Sequence, residues 1–265
     1  MFRSNLKFFV VFLIIPMILS ACLRENAEDL ESKSPEAYFE GAEQVYKSGK
    51  YNKSGALFAD FERFHPYSER VGESLIRSTE VYYEGGYYDE AIGIAQRYIS
   101  IYPASDNTAY ARYLIALCYY QQVVDLDRDQ VATERLSLAL QEVIHRFPSS
   151  EYARDAELKL KFAYDQLAGT EIERGRYYLN RGSYAAAAKR FQTVVEQYQM
   201  TSHVPEALYR LIEVYLLLGV VPEAQRIASV LGYNYQSSSW YQEAYDLFKK
   251  YELLIEVTPV DDDNS

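Results

Sequence analysis

The sequence predicts an all-α fold, an α-solenoid of about five helical hairpins, and three observations predict it. Glycine and proline are few, 12 and 8 among 265 residues, and no stretch alternates apolar with polar residues as a half-buried strand must. Five segments align without gaps: GKYNKSGALFADFERFHP from Gly49, GYYDEAIGIAQRYISIYP from Gly86, VATERLSLALQEVIHRFP from Val131, GSYAAAAKRFQTVVEQYQ from Gly182 and GVVPEAQRIASVLGYNYQ from Gly219. Upstream of each lies a second amphipathic run, AYFEGAEQVYKS and ALYRLIEVYLLL among them. Antiparallel helix pairs recurring along a chain stack into a solenoid.

Each recurring position has a physical reason. Gly49, Gly86, Gly182 and Gly219 open the tight turn from one helix into the next. Five residues on stand Ser54, Ala91, Leu136, Ala187 and Ala224, mostly small enough for two helix backbones to approach. Phe58, Ala95, Leu140, Phe191 and Ala228 follow one turn later, then Phe61, Tyr98, Val143, Val194 and Leu231. At 3.6 residues per turn these three positions share one face, the predicted core. Pro66, Pro103 and Pro148 end the first three segments, because proline cannot continue a helix. Ser34-Pro35-Glu36 opens the first hairpin with a capping serine, then proline and an acid in the first turn.

Ahead of the repeats, Arg3 and Lys7 precede an uncharged apolar run from Phe8 to Leu19, interrupted by Pro16. That run is too short to span a bilayer and is expected to be a signal peptide, residues 1–21. Leu19-Ser20-Ala21-Cys22 resembles the bacterial lipobox, which implies cleavage before Cys22 and acylation of its thiol. Several acyl chains anchor far better than one, since each buried methylene contributes about 0.8 kcal/mol. Leu23 stands where inner-membrane lipoproteins of well-studied Gram-negative bacteria often carry Asp, so the resemblance implies the outer membrane, reached from the periplasmic face. Residues 22–33 are then a lipidated tether. Residues 34–257 are the solenoid, with N-terminal repeats over 34–120 and C-terminal repeats over 121–257. The final stretch from Trp240 to Val257 is expected to be a capping helix, and residues 258–265 a disordered acidic tail.

The formal charge of −11 makes nucleic acid an unsuitable partner, and an acidic body is repelled by anionic lipid surfaces. Cys118 has no disulfide partner once Cys22 is acylated; within YLIALCYY it reads as a buried, inert thiol. Near-matches to catalytic and metal motifs fail on their residues. Asp125, Asp127 and Asp129 open like a calcium loop, but Gln130 stands where glycine is required and Leu136 where the bidentate glutamate belongs. Gly41–Ser48 has a phosphate loop's length without its second glycine. His65, His145 and His203 fall near the ends of second helices, where a positive charge suits the helix dipole, and no two have metal-ligand spacing. No catalytic residue, metal site or cofactor is expected, and the chain reads as a non-enzyme. Tyrosine is abundant, 27 residues. Packing accounts for most first-helix tyrosines, such as Tyr46, Tyr82, Tyr83 and Tyr215, and some rings are left to line an inner groove for an extended peptide.

The spacing of Gly, Tyr, Ala, Phe and Pro resembles the second half of a tetratricopeptide repeat, whose period is about 34 residues. Here the period is longer, with insertions at Gln121–Gln130 and over Glu151–Asn180, the latter read as one long helix or one bent near Gly169. Lipobox, tether and five such repeats, with DRDQ at Asp127–Gln130, RFPSSEYARDA at Arg146–Ala156 and YYLNRGSYAAAAKR at Tyr177–Arg190, resemble the BamD family of outer-membrane β-barrel assembly lipoproteins. The family usually has Asp-Arg-Asp-Pro, so Gln130 is a departure, as is Gln199 at the end of the fourth repeat. The resemblance implies as partners a BamA-like barrel-inserting protein, unfolded outer membrane proteins and further lipoproteins of the same machine. It places the family's interface arginine on Arg190, beside Lys189, and its substrate-contacting segment on Phe64, His65 and Tyr67. A local ion pair between Arg190 and Glu196 or another nearby acid stands beside the first assignment. A different envelope scaffold, serving pilus or cell-wall assembly, stands beside the whole reading.

Overall fold

The computed structural model describes residues 33–125 and 130–251, and every regular element among them is an α-helix. The signal peptide, Cys22 and the tether up to residue 32, residues 126–129 and everything from 252 onward lie outside the described residues. The helices are α1 (Pro35–Lys47), α2 (Tyr51–Phe64), α3 (Val71–Glu84), α4 (Tyr88–Ile101), α5 (Thr108–Asp125) and α6 (Gln130–Arg146). They continue with α7 (Glu151–Asn180), α8 (Tyr184–Gln197), α9 (Val204–Leu217), α10 (Val221–Asn234) and α11 (Ser239–Lys250). The chain divides into two compact units: residues up to 126 with 139–156, and residues 127–138 with those from 157 onward.

The turn chemistry acts as the sequence predicts. Gly49, Gly86, Gly182 and Gly219 hold φ of +75°, +77°, +71° and +76°, a left-handed conformation that side chains disfavour. The next helix starts two residues after each of them. Ser34 Oγ accepts the Ala37 N–H at 3.3 Å, capping α1. Pro66, Pro103 and Pro148 lie two residues beyond the ends of α2, α4 and α6. The third repeat lacks the glycine and differs: α6 starts at Gln130, so Val131 lies inside the helix instead of in a turn. The run Glu151–Asn180 is one continuous helix through Gly169. Helix α11 begins at its N-cap Ser238, whose Oγ accepts the Tyr241 N–H at 3.2 Å, and it packs against α9 and α10.

The core follows the shared face. In unit 1 Phe58, Phe61, Leu75 and Tyr98 are buried around Tyr38 and Phe39, and Ser54 donates to the Ala42 carbonyl at 2.9 Å where α1 and α2 approach. In unit 2 Ala187, Phe191, Val194, Leu208, Leu211, Ala224 and Leu231 are buried together. Ala228 is only partly buried; its neighbour Ile227 takes the core position. Cys118 is buried beside Ala91 and Ile92, and desolvation pushes its thiol up to about 12.

Tyrosines carry much of the packing, and burial raises the pKa of Tyr82, Tyr110, Tyr113 and Tyr152 in unit 1 and of Tyr198 and Tyr209 in unit 2. Below about pH 10 the phenols are neutral whether the chain is folded or unfolded, and their stabilising share is intact. Above that value the unfolded chain ionises first, so stability falls as pH rises through the raised folded values. An alkaline titration is therefore expected to show a late group of tyrosines whose tyrosinate absorbance rises together with loss of helical circular dichroism. Full ionisation near pH 10 with the helices intact (about the free-tyrosine value) contradicts this.

Candidate functional site

In unit 1 the structure separates the aromatic trio at the end of α2. The Phe64 and His65 rings turn inward against Tyr38, at centroid distances of 5.8 and 5.5 Å, and Arg63 lies 4.3 Å over Phe64. Tyr67 points outward and is 99% exposed. Phe64 and His65 are thus half-buried, whereas Tyr67 stands free in solvent.

First helices of unit 1 carry a connected polar network instead. Arg77 on α3 grips Glu43 of α1 with two bonds, Nε at 2.6 Å and Nη2 at 3.1 Å, and reaches Glu80 with Nη1 at 3.1 Å. Its guanidinium lies 4.5 Å over the Tyr46 ring, and Tyr46 donates to Glu84 at 2.6 Å. Tyr110 of α5 donates to Glu80 at 2.9 Å, and Tyr113 donates to Asp155 of α7. The Tyr152 ring stacks near both, at 5.3 and 5.1 Å. These hydroxyls and carboxylates are engaged with one another.

Unit 2 holds an open cleft of about 640 Å³ lined by Thr170, Glu173, Arg174, Tyr177, Tyr178 and Arg190. Five of these lie on α7, where Thr170, Arg174, Tyr177 and Tyr178 recur at helical spacing on one face. Arg190 reaches in from α8. Its Nη1 donates to Glu171 Oε2 at 3.1 Å, and Arg174 Nη1 donates to Glu171 Oε1 at 3.0 Å. The Glu171 side chain is 7% exposed, whereas those of Arg174 and Arg190 are 42% and 37% exposed. One buried carboxylate thus holds two half-exposed guanidiniums. Arg174 also donates through Nη2 to Gln130 Oε1, and Gln130 Nε2 donates to Glu134 at 2.9 Å. Arg181, one turn beyond Tyr177, donates to its hydroxyl at 2.5 Å. Lys189 is exposed beside Arg190.

The local acid for Arg190 is Glu171 and not Glu196. Sequence reasoning missed Glu171, Arg174, Tyr177 and Gln130 as a group; the available signal was the repeating face of α7 around Arg174 and Tyr177. His203 is a second correction. It takes the N-cap position of α9, without a side-chain capping bond, instead of closing α8, and its Nε2 lies 3.6 Å from Asp165. Among the described residues no cluster of His, Cys, Asp and Glu could hold a metal ion, and no helix is long and apolar enough to cross a membrane.

The family profile for YfiO, described as an outer membrane lipoprotein, matches residues 31–230. The chain belongs to the YfiO outer membrane lipoprotein family. Two curated relatives of this chain are both named outer membrane protein assembly factor BamD. That of Caulobacter vibrioides is 46% identical over 223 residues, covering 84% of this chain and 73% of its own length. That of Rickettsia prowazekii is 37% identical over 247 residues, covering 93% and 98%. A kinesin light chain structure with tetratricopeptide-like repeats aligns over 75% of this chain and 95% of its own, at 13% identity and a TM-score of 0.38. The tetratricopeptide-like solenoid class rests on the hairpins and turn glycines described above. Gln130 is the residue whose amide oxygen accepts from Arg174.

Proposed function

We propose that this chain is the lipid-anchored scaffold of an outer-membrane β-barrel assembly machine. Cys22 carries the lipid at the periplasmic face, unit 2 docks a BamA-like barrel-inserting protein through the Arg190 surface, and unit 1 receives unfolded outer membrane proteins. The observation that carries this reading is the family match across residues 31–230, with relatives named as BamD assembly factors. The cleft adds a physical reason for docking on unit 2, because it offers arginines on a chain of formal charge −11. No reaction is assigned to the chain: its part is to hold other proteins, by reversible binding, in a compartment without ATP.

Mild detergent extraction followed by co-purification tests the reading. A barrel protein with periplasmic repeat domains is the expected partner; recovery of pilus or cell-wall proteins alone supports the other envelope scaffold. Anchorage is tested separately with Cys22→Ala, which is expected to abolish labelling by palmitate and leave an uncut precursor. Label entering that variant overturns the lipidation of Cys22.

A further inference from the structure

We infer that the cleft of unit 2 is an anion receptor built on two guanidiniums, with Arg174 as the second recognition group and Glu171 as the buried counter-charge that fixes both. This deepens the docking role proposed for unit 2 and rests on it. The ligand is a side-chain carboxylate of the docked partner, received between Arg174 and Arg190 with its flank against Tyr177.

Charge and geometry carry the inference together. Arg174 and Arg190 share one acid, Glu171, so one positive charge is left over between them. Glu173, exposed at the cleft, offsets one charge and Arg181 at the Tyr177 end supplies another, so one positive charge still remains over these groups. Each guanidinium has five N–H donors in a planar fork. Among the described residues Arg190 spends one of them, on Glu171, and Arg174 spends two, on Glu171 and Gln130. The remaining donors belong to side chains that are 37% and 42% exposed. A buried acid holding each fork from behind lowers the ordering cost of binding, because the rotamers are already fixed. Tyr177, 54% exposed, offers a ring beside these donors. A lipid headgroup is a weaker candidate, since an anionic membrane repels a chain of net charge −11. Gln130 acts as a positioning residue: its amide spans from Glu134 to Arg174 and sets the second fork.

The probe is the purified periplasmic region of the barrel-inserting protein from the same organism, titrated against the full chain in detergent. Arg174→Gln and Arg190→Gln are each expected to weaken capture about tenfold or more, and Tyr177→Ala to weaken it by less. Each partner Asp and Glu is changed in turn to its amide. One carboxylate is expected to couple to both arginines in double-mutant cycles, so that its loss makes Arg174→Gln silent. Glu171→Gln keeps an acceptor for the arginines and removes the internal competitor, so capture at low salt is expected to hold or tighten. Circular dichroism on each variant separates a fold defect from a binding defect, and Tyr177→Ala, at an exposed ring, keeps the test open if Glu171→Gln does not fold. Unchanged capture by Arg174→Gln, or a Glu171→Gln loss equal to that of the arginine variants with helices intact, overturns the receptor. No capture by the wild-type chain overturns the docking role itself, whereas capture with no coupled carboxylate overturns this inference alone.

Discussion

Phe191→Ala is expected to lower the unfolding free energy by about 3–5 kcal/mol, the range for emptying a buried aromatic site. Phe191 is fully buried on α8 within the unit 2 core. Its ring lies on the backbone of α7 at Gly175, where an added Cβ would collide with Cε1 and stand 2.6 Å from Cζ. The reciprocal change, Gly175→Ala, is therefore also destabilising, although alanine gains roughly 1 kcal/mol of helix propensity over glycine. Denaturant unfolding followed by circular dichroism measures both. A Gly175→Ala chain as stable as wild type means that the two helices can separate without cost, which the close contact excludes. The double change should recover part of each loss, since removing the ring makes room for the methyl group.

Arg77→Ala is the second large effect, expected to cost about 2 kcal/mol in unit 1. The side chains of Arg77, Glu43 and Glu80 are 22%, 24% and 26% exposed, so the group is shielded but not dry. Stripping the guanidinium takes the shared cation from two carboxylates, of which Glu80 keeps the Tyr110 hydroxyl. Solvent screening keeps the loss below the full value for a buried pair. Lysine is expected to rescue little, because one ammonium cannot reproduce a fork that grips Glu43 twice and also reaches Glu80. Adding Glu43→Gln to Arg77→Ala should restore part of the stability by removing one stranded charge. A single variant that unfolds within about 0.5 kcal/mol of wild type would show that the network is decorative.

Local rules made the helices and their core legible. Positions five, nine and twelve of each segment depend only on helical geometry, and all except Ala228 are buried. The glycine turns were legible for the same reason, since a left-handed residue is a local demand that the sequence must meet in place. The third repeat escaped because its turn has no glycine, and nothing in Val131 announces that α6 begins a residue earlier. The cleft was less legible. Arg190 meets Glu171 across 19 positions, and Arg174 meets Gln130 across 44. A charged residue on a helix carries no mark of the face it will meet on another helix. Likewise RFHPY read as one aromatic cluster, yet the helix end turns Phe64 and His65 toward Tyr38 and leaves Tyr67 in solvent.

The pairing of helices in chain order has a kinetic consequence. From α1 to α5 and from α8 to α10 each helix packs chiefly on its neighbours in the chain, with α3 also on α5, while α11 folds back mainly on α9. Contacts of short sequence separation close small loops, so little chain entropy is lost before the first favourable contact forms. Small helical domains built from such local contacts fold in microseconds to milliseconds, orders of magnitude faster than proteins whose strands pair over long distances. A chain delivered N-terminus first can therefore complete α1 and α2 while α5 is still arriving, and each finished hairpin offers its successor a ready surface. The time such a protein spends exposed is then set by its delivery and not by a search for distant partners.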